Sequence, residues 1–201
     1  MSTYGAMQDR IADEINRSDL TSQIQKAVQT AISFYEDERF WFNEGTYQYT
    51  TATASEVYTV STVLDIDVVR VTINGDDVDL IARPFPYLDD VRDEGSTGYP
   101  REYAIFNDRM YLHPIPDATY TVQIFGCIRL TTISATADTS AWMTHGEELI
   151  RGRAKADIYA NIIHDFDLAA IMSAQEERAL TKLRQKSASK IATRSIVPTQ
   201  F

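Results

Sequence analysis

Hydrophobic positions recur with two different periods along the chain, and the changes of period divide it. Tyr4, Met7, Ile11 and Ile15 repeat at helical spacing, and Thr3 stands where an N-cap belongs. After Asn16-Arg17-Ser18-Asp19 a second helical pattern follows, with Asp19 as its cap and Ile24, Ala27, Val28, Ala31, Ile32 and Tyr35 on its apolar face. It runs out in Glu36-Asp37-Glu38-Arg39 before Phe40-Trp41-Phe42, an aromatic run expected to seal the joint to what comes next. From Thr46 to about Leu130 the period becomes two, and β-branched and aromatic residues dominate in YQYTTAT, VVRVTI, EYAIF, RMYLHP and YTVQIFGCIRL. Asn74-Gly75 and Asn107-Asp108 each separate two strand patterns and suit the positive-φ positions of tight hairpins. Pro84, Pro86, Pro100, Pro114 and Pro116 predict short strands, and PFPYLDDVRDEG is expected to form a short helix or a lid.

The helical period returns after the polar connector TTISATADTSAWMTHG, whose Trp142 should plug back into the core. Thr144 and Glu147 fit a capping box for a third helix with Ile150, Ala154, Ile158 and Ile162 on one face. Asp165-Phe166-Asp167 interrupts it, and a fourth helix from about Leu168 carries Ile171, Met172, Ala179, Leu180 and Leu183 before a basic, Ser-rich end. The last peptide, SIVPTQF, has no periodicity and is expected to be extended. The predicted class is α+β: a four-helix bundle of two helical hairpins with an inserted antiparallel β module and an extended C-terminal tail. Residues 1–43 and 141–194 would form the bundle, 44–140 the inserted β domain with its connector, and 195–201 the tail.

Charge sharpens this division. The 201 residues carry 29 acids against 19 bases, a formal net charge of −10. Residues 44–132 hold 14 of the acids and 6 of the bases, and no lysine occurs from Ala27 to Ala154. Asp76, Asp77, Asp79, Asp89 and Asp90, with Asp93 and Glu94, crowd one stretch as candidate acidic surface, which repels rather than grips a phosphate backbone. From Arg178 to Phe201 the sign reverses, with Arg178, Lys182, Arg184, Lys186, Lys190 and Arg194 and no acid. Two readings stand for that end: a solvated helix face whose cations complement the dipole, or a docking arm for an acidic partner.

Candidate chemistry is sparse. The three histidines, His113, His145 and His164, lack metal-ligand spacing, and no HExxH, CxxC or EF-hand loop is present, so no metal and no cofactor is assigned. Cys127 alternates into a strand as a buried thiol, and GxSxG, GxxxxGK[ST] and GxGxxG are all missing, so the chain is read as no enzyme. Asp89, Asp90 and Asp93 as a hydrolytic carboxylate pair is a weak alternative, because adjacent acids on a polar segment face solvent. No membrane anchor and no export signal are expected, since no apolar run is long enough to span a bilayer and MSTYGAMQDRIADE has no basic leader.

The phrases YGAMQDRIADEINRSDLTSQIQKAVQTAISFYEDERFWFNE, YPREYAIFNDRMYLHPIPDATYTVQIFGCIRL and SAWMTHGEELIRGRAKADIYANII carry a resemblance. A helical pair ending in ERFWF, a strand-turn-strand leaving through Pro114 and Pro116, and Trp142 ahead of a helix with Ala154, Asp157 and Tyr159 resemble the head-to-tail adaptor, or connector, proteins of tailed bacteriophages. The resemblance spans nearly the whole chain. It implies a structural virion protein at the neck, made in the bacterial host cytoplasm, assembling with itself into a ring of about twelve subunits under the portal protein. The ring would continue the channel for genomic DNA, without sequence-specific binding, and give a tail or nozzle protein its attachment surface. By analogy Lys182, Lys186, Lys190 and Arg194, with Ile196, Val197 and Phe201 as apolar anchors, dock on the portal, while Trp41, Phe42 and Trp142 are structural anchors. Two alternatives remain: a neck or tail-completion protein lower in the tail, and a carbohydrate- or receptor-binding β domain using Tyr47, Tyr49, Tyr58, Tyr87, Tyr99, Tyr103 and Tyr111 as a platform.

Overall fold

The computed structural model describes residues 2–92 and 95–191. Helices α1 (Tyr4–Ile15) and α2 (Thr21–Tyr35) come first, then strands β1 (Glu44–Thr50), β2 (Val57–Thr59), β3 (Val63–Ile73), β4 (Asp76–Asp79) and β5 (Ile81–Ala82). Helix α3 (Phe85–Arg92) precedes β6 (Thr97–Gly98), β7 (Glu102–Phe106), β8 (Arg109–His113), β9 (Ile115–Pro116) and β10 (Thr121–Ile128). Helices α4 (Ala141–His145), α5 (Glu147–Ile158) and α6 (Phe166–Ile191) follow, with a π-helical turn at Tyr159–Ile163 after α5. Two compact units result: Met1–Asn43 with Leu130–Phe201, and Glu44–Arg129.

The expected four-helix bundle carrying one antiparallel module is not what forms. The described residues make a mixed α+β fold with six α-helices and ten strands in three sheets. One cause is local capping. Ser140, rather than Thr144, opens the first helix after the connector by accepting the Trp142 N–H, so α4 is a separate turn of helix and α5 starts at Glu147, with Gly146 at its N-cap and no side-chain cap. The other cause is proline. Pro84 and Pro86 turn the chain into α3 inside the β unit, and two of the strand pairs, β5–β7 and β6–β9, are parallel.

In the helical unit, Thr3 caps α1 by accepting the Ala6 N–H at 3.1 Å, and Asn16 ends it in the left-handed region at φ 52°. Asp19 does not cap α2, which starts after Leu20; both its carboxylate oxygens are taken by the Arg17 guanidinium, at 2.7 and 2.8 Å. The later break falls on His164, left-handed at φ 61°, and Asp165 then accepts the Leu168 N–H, so α6 starts at Phe166, ahead of the expected Leu168. The helix also does not stop before the basic end; it runs through it to Ile191. Tyr4, Met7 and Ile11 of α1, Ile24, Val28 and Ala31 of α2, and Leu149, Ile150, Ala154 and Ile158 of α5 build one core, closed by Phe40, Trp142, Ala179 and Leu183. Each large side chain removed from water there contributes about 1.5–3 kcal/mol. Ile171, expected on the apolar face, is instead exposed.

The β unit has its own core of Val69, Val71, Tyr103, Met110, Leu112, Val122 and Ile124. Its sheets run β1-β10-β3-β4, β2-β8-β7-β5 and β6-β9. Asn74-Gly75, at φ 54° and 95°, joins β3 to β4, and Asn107-Asp108, at 53° and 56°, joins β7 to β8; both are two-residue hairpins with the predicted backbone. Not every strand is short, since β3 has 11 residues. Its pairing with β10 shifts register at Gly126, a position at which a Cβ would overlap the Asp65 carbonyl oxygen. Cys127 is buried on β10.

Candidate functional site

The most built surface feature lies in the helical unit, where the loop after α2 meets α4 and the end of α6. Asn43 shapes that loop: its Oδ1 accepts the Phe40 N–H at 2.8 Å and its Nδ2 donates to the Glu38 carbonyl at 2.8 Å. The turn drives Phe40 into the core and stacks it on Phe42 at 5.3 Å, with both rings edge-on to Trp142 at 5.7 and 5.1 Å. Gly146 is required here, because a Cβ would approach the Trp142 ring to 2.8 Å. Trp41 is thereby left half-buried, edge-on to Phe42 at 5.1 Å and 5.3 Å from the His145 ring.

Two ammonium groups lie over that indole. Lys186 Nζ and Lys190 Nζ, one helical turn apart on α6, are each 4.6 Å from the Trp41 ring centroid. Lys182, one turn earlier, donates to Glu148 at 3.1 Å, and both of those side chains are largely exposed. Arg184 reaches the Glu38 carboxylate with two nitrogens, tying the same stretch of α6 to the loop. Inward, Leu183 and Ser187 are buried, and the Ser187 hydroxyl donates to the Leu183 carbonyl at 2.9 Å. Burial against the aromatic rings, then the charges of Lys186 and Lys190, push the His145 pKa below its usual 6.5, which favours a neutral imidazole beside the two cations.

A second polar cluster is structural. Tyr35 donates its hydroxyl to Glu176, a carboxylate only 8% exposed, and Arg153 reaches the same oxygen at 3.2 Å while lying over the Phe34 ring. Burial and the neighbouring carboxylate raise the Tyr35 pKa. Glu14 similarly joins α1 to α5 through Lys155 at 2.8 Å and Arg151 at 3.3 Å.

The structure thus brings together Trp41, Phe42, Trp142, Lys186 and Lys190, with Lys182 alongside. Arg194, Ile196, Val197 and Phe201 lie outside the described residues, as do Asp93 and Glu94. Asp76, Asp77 and Asp79 are exposed on β4, where Asp79 pairs with Arg70 at 2.8 Å and Asp77 accepts from Thr72 at 2.8 Å; Asp89 and Asp90 lie on α3. The tyrosines do not form one platform: Tyr49 stacks on Tyr58 at 4.8 Å against the β-unit core, Tyr103 is buried, and Tyr87 and Tyr99 are exposed beside Arg83 and Arg101. His145 and Glu38 were not among the candidates. A histidine one residue before Gly146 at a helix end gives little local signal, and its partners are distant in sequence. Among the described residues no group of three or more His, Cys, Asp or Glu side chains could hold a metal ion, and no helix is long and apolar enough to cross a membrane.

Comparison with known families decides what this architecture belongs to. The family model of the SU10 adaptor protein matches residues 2–198. The chain belongs to that family. SU10 adaptors are phage head-to-tail adaptors, so the role is that of a structural phage protein. No curated protein matches the chain. The SU10 adaptor match covers both compact units and includes the α6 stretch that carries Lys182, Lys186 and Lys190.

Proposed function

We propose that the chain forms a homo-oligomeric ring of about twelve subunits under the portal protein, in the neck of the virion, where it continues the DNA channel and gives the tail its attachment surface. The observation that carries this reading is the match to the adaptor family across both units. The charge distribution supports it. The β unit has 14 acids, 6 arginines and no lysine, so it repels phosphates and lets genomic DNA slide past without sequence-specific contact. Asp76, Asp77, Asp79, Asp89 and Asp90 supply part of that field. A ring of identical subunits closes through heterologous contacts, for which exposed apolar residues of the helical unit such as Phe34, Phe166 and Ile171 are suited.

In this reading the stretch from Lys182 to Phe201 engages the portal, with Lys186, Lys190 and Arg194 meeting acidic grooves and Ile196, Val197 and Phe201 as apolar anchors. The β unit faces the tail or nozzle protein. Sedimentation of the full chain with the portal encoded by the same virus tests this. The full chain should co-sediment with the portal, and a chain lacking residues 192–201 should keep its helical circular dichroism and lose portal binding. Undiminished portal binding by the truncated chain would defeat the docking role of that end.

A further inference from the structure

The Trp41 cluster carries an inference about the chemistry of the partner. In a chain with ten more acids than bases, Lys155 pairs with Glu14 and Lys182 with Glu148. Lys186 and Lys190 do not. Among the described residues neither makes an ion pair; both ammonium groups lie 4.6 Å from the Trp41 ring centroid, and both side chains are exposed. Their backbone is fixed from beneath by buried Leu183 and Ser187, and from the side by the Arg184–Glu38 pair. Trp41 is itself fixed by Phe42 and His145.

We infer that Trp41, Lys186 and Lys190 form a preorganised site for two carboxylates of an acidic protein segment. This deepens the portal-docking reading and rests on it for which protein supplies the segment. An indole takes one side of each ammonium and leaves N–H donors free on the other, so a carboxylate adds to the cation–π contact without displacing it. Holding two lysines side by side removes rotamer freedom that an ordinary surface pair loses only on binding, which favours a ligand bearing two acids. The occupant is a protein rather than nucleic acid. A duplex presents a charge about every 1.7 Å of its axis, and a chain whose net charge is −10 repels so dense a polyanion at long range.

The test uses the full chain labelled with ¹⁵N, a hexaglutamate peptide as probe, and the two indole N–H resonances as the readout, with Trp41 assigned through Trp41→Phe. Hexaglutamate should shift the Trp41 indole saturably and leave the Trp142 indole, which is buried, in place. The double variant Lys186→Gln/Lys190→Gln, at exposed positions, should bind about tenfold more weakly, as expected for losing two exposed charge contacts. Lys186→Arg/Lys190→Arg, which keeps charge and ring stacking, should retain binding. An unmoved Trp41 resonance, or an equal shift in the glutamine variant, overturns the site. A short DNA duplex that binds more tightly than the peptide through the same two lysines overturns the assignment to an acidic protein. The two readings fail separately. A chain that binds hexaglutamate but does not join the portal contradicts the adaptor placement alone, and a chain that joins the portal but ignores hexaglutamate contradicts the carboxylate site alone.

Discussion

The helical unit and the β unit treat charge differently. Residues 44–129 hold 14 acids and 6 bases, whereas the remainder of the chain holds 15 acids and 13 bases, including all five lysines. In the helical unit the charges are largely spent on internal ties, among them Glu14 with Lys155 and Arg151, Glu38 with Arg184, and Glu176 with Arg153 and Tyr35. On β4, by contrast, three aspartates are exposed to solvent, of which Asp79 pairs with the neighbouring Arg70 and Asp77 accepts from Thr72. Net charge therefore says little about where a chain makes its contacts. The acid excess marks the unit whose surface repels polyanions, and the charge-balanced unit contains the cluster of Trp41 with Lys186 and Lys190.

The largest way to break the comparison is through the separate cores. Trp142→Ala removes a side chain 3% exposed that meets Phe40 and Phe42, and should cost the helical unit about 3–5 kcal/mol. Hydrogen exchange should show lost protection in α2 and α5 with β3 and β10 still protected; uniform loss in both units would contradict separate cores. Tyr35→Phe comes next, with an expected loss of about 1.5–3 kcal/mol in denaturant unfolding, because Glu176 is buried and accepts that hydroxyl as a charged group. In the β unit Gly126→Ala should cost about 1–3 kcal/mol by forcing a Cβ into the Asp65 carbonyl, and should change amide shifts along β3 and β10.

The smallest effect is one of pH. Since the folded His145 titrates below 6.5, the unfolded chain takes up the proton first as pH falls, so the helical unit loses stability as pH drops through 6.5 toward the folded midpoint. Above 6.5 His145 contributes no pH dependence. An NMR titration should find its midpoint depressed, and Lys186→Gln/Lys190→Gln should move it back upward; an unchanged midpoint in that variant would remove the lysines from the cause.

Legibility in the sequence followed the range of the interaction. The hairpins at Asn74-Gly75 and Asn107-Asp108 and the Thr3 cap were readable because each depends on a few adjacent residues whose backbone preferences are strong. Trp142 was readable as a lone large apolar residue in a polar connector. The helix count was not, because Ser140 and Thr144 are both competent caps and only packing of the turn decides that the chain bends at Gly146. Asp19 failed as a cap for a similar reason, as Arg17 offered its carboxylate a better partner than the helix N–H groups. The contact of Trp41 with Lys186 and Lys190 had no signal, since a helix face two turns long is as readily solvated as docked, and its partner lies near the other end of the chain.

Electron-microscopic averaging of the full chain mixed with the portal from the same virus tests the central claim most directly. The expected particle is a portal that gains one added, rotationally symmetric layer. Portals that remain unchanged beside free monomers would contradict it.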